Sequence, residues 1–300
     1  MSEDKEVKQW KEKLFYRPKN GYDQIDAEQT GEIFAYAEGY KRFLDAARTE
    51  REAVKEAIRM AEEAGFVPYT FGMELQPGSK VYVNNRGKAL MLAVLGQQPL
   101  DHGCVIAGAH IDSPRLDLKQ TPMYEDSELA YFKTHYYGGI KKYQWVARAL
   151  ALHGVVAKKD GTLVNIVIGE DESDPVVGVS DLLIHLAQDQ MAKKASEVIG
   201  GEDLDIILCG KPLGGEEKEP VKAALLKILK DKYDIDEEDM ISAEIEAVPA
   251  GKCREFGLDR SMILGYGHDD RVCAYASIEA ILSLTDAPKH TCCCLLVDKE

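Results

Sequence analysis

The stretch Gly108-Ala109-His110-Ile111-Asp112-Ser113-Pro114-Arg115 decides how this chain is read. It follows residues 104–109, a short apolar run bounded by Gly103 on one side and His110 on the other. Such a run reads as a buried strand, and its near-continuous apolar character points to a central place in the sheet. A His and an Asp then follow at i and i+2, at the strand's carboxyl end. In open α/β sheets, sites form at that end. An imidazole there can offer a nitrogen to a metal, and an Asp two residues on can orient it through a hydrogen bond. The spacing alone describes a core histidine bonded to a carboxylate just as well, and that is the commoner case.

Two further stretches change the balance. Gly267-His268-Asp269-Asp270-Arg271 stands where a glycine-rich loop meets an apolar segment, residues 269–284, which reads as a helix buried on almost all sides. The plain interpretation makes Asp269 an N-cap, Asp270 a first-turn charge favoured by the macrodipole, and Arg271 a surface residue. It leaves two acids and an arginine ahead of an otherwise apolar helix unexplained, and a carboxylate shared by two metal ions would explain them. Val297-Asp298-Lys299-Glu300 follows a third apolar run, residues 292–297, and again puts acids at a strand's carboxyl end.

Outward from these stretches, the period of the chain changes twice. Residues 4–15 read as a charged helix and 27–64 as one or two helices, with Gly65 as the stop. Residues 80–84 and 89–95 read as strands. Between 121 and 250 the texture is β-rich, with a helix expected near 179–190, a strand near 204–209 and a helix over 220–233 that carries Pro at its first turn. Long apolar elements return after 255. This order predicts an α/β fold in two domains: one formed by 1–120 and 251–300, the other by 121–250 inserted into it.

Composition narrows the function. The 300 residues hold 37 Lys and Arg against 52 Asp and Glu, a net charge of −15, which argues against nucleic-acid or anionic-membrane partners. No run approaches the roughly 18 apolar residues of a membrane span. The first 15 residues lack the apolar segment of a secretory signal. Seven cysteines, an odd number without a CxxC pair, suit a reducing compartment, so a cytoplasmic location is expected. His102, His135, His153 and His290 have no second ligand at a helpful spacing. The acidic residues 170–174 lack the spacing of a calcium loop and read as solvated.

Taken together, the motifs resemble the M18 aminopeptidases, the dinuclear-zinc exopeptidases that include aspartyl aminopeptidase. AHIDSPRLDLK (109–119) is similar to the family's first metal motif, GHDDR (267–271) to its bridging-aspartate motif, and VDKE (297–300) to the start of its D-x-E-E-x-G-S motif. Tyr137-Gly138-Gly139 with Trp145, Arg148, Leu150 and Gly154 resembles the passage into its inserted domain, and Ile184-His185-Leu186 a short motif within it. Ala147 and Ala149 depart from the family, standing where acids often flank the arginine. The resemblance implies a zinc-exopeptidase-like catalytic domain, with a central mixed sheet flanked by helices, and an inserted smaller β-rich oligomerisation domain. It implies two divalent metal ions per subunit, zinc first and cobalt or manganese as alternatives. His110 would ligate one ion and Asp269 bridge both. Asp112 would be the catalytic aspartate behind the ligand, and Glu300 the general base. His185 would reach a neighbouring subunit's site. Further ligands, a Glu, an Asp and a His, would lie past position 300. Peptides, acidic N-terminal residues being the name-giving case, would be the substrates of a dimer-based homo-oligomer, up to a dodecamer. The residues alone leave two rivals open: a non-catalytic assembly protein with a degenerate site, and a dinuclear metal deacylase.

Overall fold

The computed structural model describes residues 3–216 and 218–299, and Glu300 lies outside the described residues. The chain forms two compact units that meet in sequence between Tyr40 and Lys41. The first holds helix α1 (Glu3–Leu14) and most of α2 (Ala27–Ala46). Asp26 Oδ1 accepts from Gln29 N, and Gln29 Oε1 accepts from Asp26 N, a reciprocal cap that sets where α2 starts.

In the second unit, α3 (Glu50–Glu63) begins at a capping box between Thr49 and Glu52. It buries a small-residue face of Ala53, Val54, Ala57 and Ala61, and Gly65 at φ +86° ends it. The strands that follow are β1 (Val67–Pro68), β2 (Lys80–Asn85), β3 (Ala89–Val94), β4 (Cys104–His110), β5 (Arg115–Asp126) and β6 (Leu129–Tyr137). Next come β7 (Leu150–Ala157), β8 (Leu163–Ile168), a single helical turn α4 (Gln188–Met191), β9 (Ile206–Cys209) and α5 (Pro220–Tyr233). The last elements are β10 (Ala243–Pro249), the ribbon β11 (Arg254–Phe256) and β12 (Met262–Leu264), α6 (His268–Leu282) and β13 (Thr291–Val297).

Two sheets result. The first is mixed, in the order β1-β2-β3-β13-β4, with β13 antiparallel to β3 and parallel to β4. Helices α3 and α6 pack on it. The second is antiparallel, in the order β8-β7-β10-β5-β6-β9. Leu116, Phe132, Leu152, Ile206 and Ala247 form its core together with Val221, Leu225 and Leu229 of α5. Gly154 of β7 permits the close pairing with β10, because a Cβ there would lie 2.0 Å from the Glu244 carbonyl oxygen.

Three expectations need correction. The strand before His110 is not central: β4 is the edge of the sheet among the described residues, and Val105 and Ile106 are 57% and 61% exposed. An apolar run announces a strand but not how many neighbours pair with it. The helix expected near 179–190 reduces to the one turn of α4, with Leu182, Leu183, Ile184 and Leu186 exposed. Their spacing is helical, yet among the described residues nothing covers them. Helix α6 is buried on one side only: Ala274, Ile278 and Ile281 face inward, while Val272 and Cys273 are exposed.

Candidate metal centre and active site

The chain passes from one sheet to the other between His110, the last residue of β4, and Arg115, the first of β5. Register pairs His110 with Val297, so the carboxyl ends of β4 and β13 lie side by side. The first turn of α6 meets the same place: His110 Nε2 stands 3.3 Å from Asp269 Oδ1. Two donor atoms each about 2.05 Å from one tetrahedral ion stand about 3.3 Å apart, so this pair fits a shared zinc as it is. His110 Nδ1 faces Asp112, 3.1 Å from its carbonyl oxygen and 3.3 Å from Oδ1. A proton held on that side puts the imidazole lone pair on Nε2, the form a metal needs.

Asp112 is 2% exposed and well held. The Tyr137 hydroxyl donates to its Oδ2, and the Lys299 backbone N–H donates to Oδ1 at 3.1 Å. Tyr137 closes β6 and carries Arg115 and Lys299 over its ring, at 4.2 and 4.3 Å from the centroid. Burial, then the bond to Asp112, pushes the Tyr137 hydroxyl pKa up, so it stays a donor. The sequence had marked Tyr137 only as part of a glycine motif. Its position directly before two glycines, at the end of a strand paired to Arg115, was the available signal.

Asp269 differs from Asp112 in being open: its side chain is 88% exposed. Its carbonyl accepts a 2.8 Å bond from Ser113 Oγ, which ties the α6 turn to the loop after His110. Arg271 does the same from below. The plain interpretation that put it on the surface does not hold: it is 1% exposed, and it donates to the Ile111 and Arg48 carbonyls at 3.0 and 3.1 Å. Gly267 gives it room, since a Cβ there would stand 2.3 Å from Arg271 Nη1. Glycine is also the residue that tolerates φ +89° at that position. Ser113, His268 and Asp269 are among the residues lining a cleft of about 780 Å³. His185 lies elsewhere, exposed in the turn before α4, with no side-chain hydrogen bond or ion pair among the described residues.

A second carboxylate group lies between the two sheets. Oxygens of Glu50, Glu244 and Glu246 approach within 4.8 Å of one another. Lys88 Nζ already holds Glu50 at 2.8 Å and Glu244 at 2.5 Å. Arg115 Nε stands 3.2 Å from Glu246 and 2.7 Å from Asp117. Burial, followed by the charge on Glu50, raises the Glu246 pKa well above the usual range. Arg115 and Lys88 hold Glu50 low against its own burial. With cations of the chain already on its oxygens, this is an internal ion network and a poor metal site.

Solved aminopeptidases share the fold. The crystal structure of aminopeptidase I from Clostridium acetobutylicum matches with a TM-score of 0.87 at 52% identity, over 96% of this chain and 64% of that one. That of an M18-family aminopeptidase from Thermotoga maritima gives 0.89 at 45%, over 95% and 62%. Residues 43–300 match the profile of the family described as aminopeptidase I zinc metalloprotease (M18), and the chain belongs to that family. The probable M18 family aminopeptidase 1 of Clostridium acetobutylicum is 56% identical over 287 residues, covering 94% of this chain. The chain spans 62% of the length of that relative.

Proposed function

We propose that the protein works as a zinc aminopeptidase, releasing N-terminal residues from peptides with water. The observation that carries this reading is the 3.3 Å approach of His110 Nε2 to Asp269 Oδ1 with buried Asp112 behind it. His110 and Asp269 would hold the zinc, and the open side of Asp269 suits it to bridge a second ion. Bound zinc supplies Lewis acidity to the peptide carbonyl and to the attacking water. Asp112 fixes the tautomer and angle of His110, and Tyr137 fixes Asp112. Glu300 takes the proton from the attacking water and returns it to the leaving amine. Even one catalytic zinc usually has three protein ligands. His110 and Asp269 account for two of them on this reading.

Segment 121–250 is proposed as an inserted domain that builds homo-oligomers from dimers, within a catalytic domain of 1–120 and 251–300. The exposed Leu182, Leu183, Ile184 and Leu186 around His185 support this, because an apolar patch of that kind suits a subunit interface. His185 would then act in a neighbouring subunit's site. Seven free cysteines suit the cytoplasm.

The test measures zinc by elemental analysis and hydrolysis of free-amine and N-acetylated peptides before and after chelation. The reading expects stoichiometric zinc and cleavage of free-amine peptides, lost on chelation and restored by zinc. Cleavage of the N-acetylated series alone would indicate a deacylase. Zinc-independent behaviour with no cleavage would indicate a binding protein.

A further inference from the structure

His153, on β7, is 2% exposed, and a carboxylate stands on each of its ring nitrogens. Glu52 of α3 lies 2.9 Å from Nδ1, and Glu170, just past β8, lies 3.1 Å from Nε2. A neutral imidazole has one N–H and can satisfy only one of them, whereas the doubly protonated ring donates to both. Arg48 and Asp45 stand behind Glu170. On β10 the residue in register with His153 is Glu246, which Arg115 faces.

The same contacts run on to the metal motif. Glu52 Oε1 meets His153, while its Oε2 accepts the backbone N–H groups of Arg48 and Thr49, both at 3.1 Å. Glu170 Oε1 stands 3.3 Å from Arg48 Nε, and Arg48 Nη2 donates to the Gly251 carbonyl at 2.7 Å. Both carboxylates on His153 therefore also hold Arg48, one by its backbone and one by its side chain. The Arg48 carbonyl in turn accepts from Arg271 Nη2 at 3.1 Å. Arg271 stands two residues after Asp269, and its Nε donates to the carbonyl of Ile111, between His110 and Asp112.

We infer that His153 is a positioning residue for the metal motif: its charged ring keeps Glu52 and Glu170 on Arg48, and Arg48, through Arg271, sets the placement of Asp269 against His110. The inference rests on the reading of His110 and Asp269 as zinc ligands. Burial alone would discharge the ring, but the bonds to Glu170 and Glu52 outweigh it and raise its pKa. Once the ring loses its proton, one nitrogen turns a lone pair toward a carboxylate. The repelled carboxylate lets go of the Arg48 backbone if it is Glu52, or of the Arg48 side chain if it is Glu170.

Zinc affinity of the full-length protein, measured by competition with a chelator from about pH 6.5 to about 9.5, reads this out directly. Comparing variants at one pH cancels the protonation of the ligands themselves. At the acidic end, His153→Gln should weaken zinc binding about 3- to 10-fold. That factor should shrink toward one as pH rises and the unsubstituted protein loses its own clamp. Glu170→Gln offers the neutral ring an amide N–H, so it should match the unsubstituted protein at the acidic end and bind zinc more tightly at the alkaline end. On a free-amine tripeptide, kcat should follow the same pattern while KM stays within about twofold. A factor that ignores pH is what a merely structural His153 would give, and it overturns the inference. Unchanged zinc affinity in correctly folded His153→Gln protein does the same, as does a Glu170→Gln protein no tighter than the unsubstituted one at the alkaline end. Failure of the aminopeptidase reading is visible separately, as zinc factors that follow the expected pattern while the tripeptide is not cleaved.

Discussion

Two aspartates at one site have opposite environments, and their substitutions should separate accordingly. Asp269 is open and meets His110 directly, so Asp269→Ala removes a donor. Elemental analysis should find less than one zinc per subunit in that variant, and two retained ions would refute the bridging role. Asp112 is buried and meets the ring from the other side. Asp112→Asn should keep most of the metal while kcat falls at least 10-fold, since partners behind a ligand orient it rather than supply it. Activity that merely tracked residual zinc would make Asp112 a ligand or a folding residue. The pairing of His110 with Asp112 was legible from their i, i+2 spacing. The grip of Tyr137 on Asp112 was not, because it depends on how β6 lies against β5.

At the scale of elements, the start of α3 carries a buried charge relay. Glu52 completes the capping box with Thr49 and accepts from His153 Nδ1 at 2.9 Å. Glu170 accepts from His153 Nε2 at 3.1 Å and pairs with Arg48 at 3.3 Å. Burial alone would lower the His153 pKa, but the bonds to Glu170 and Glu52 outweigh it and raise it. A raised folded-state value means full stabilisation below the unfolded pKa of about 6.5, lost as pH rises through the folded value. Glu170 is held low by His153 and Arg48 against its own burial, so its contribution is lost as pH falls through its folded value. Melting temperature should therefore decline as pH rises above about 6.5, and His153→Gln should flatten that decline. An unchanged slope would remove His153 from the account. Residues 170–174 read as a solvated loop from composition, and for Glu170 a contact with Arg48, from the distant link between α2 and α3, decided otherwise.

Over the whole molecule, Arg115 ties helix α3 to the six-stranded sheet. It reaches Glu50 of α3, Asp117 of its own strand and Glu246 of β10 while only 3% exposed. Arg115→Ala should cost about 3–5 kcal/mol in urea unfolding, as expected when one partner of a buried ion network is lost. Glu246→Gln should cost far less, because burial and the charge on Glu50 favour the protonated form of Glu246, which an amide resembles. Equal losses would show that both carboxylates are charged. The proposed assembly gives its own prediction. Mixing inactive Asp112→Asn with inactive His185→Ala protein should restore activity once subunits exchange. Hybrid oligomers without recovery would place the function of His185 outside the neighbouring site.

What this sequence determined by itself is local and periodic: the capped helices, the alternating strands, and the residues His110, Asp112 and Asp269 as candidates for metal chemistry. Each follows from interactions within a few residues, such as caps, pleat and turn glycines. Only the tertiary structure decided that β4 is an edge among the described residues, that Arg271 is buried, and that Arg148 and Arg254 share a cleft. Those facts join residues far apart in sequence. The path of the chain between the two sheets brings such residues together, and no local period records that path.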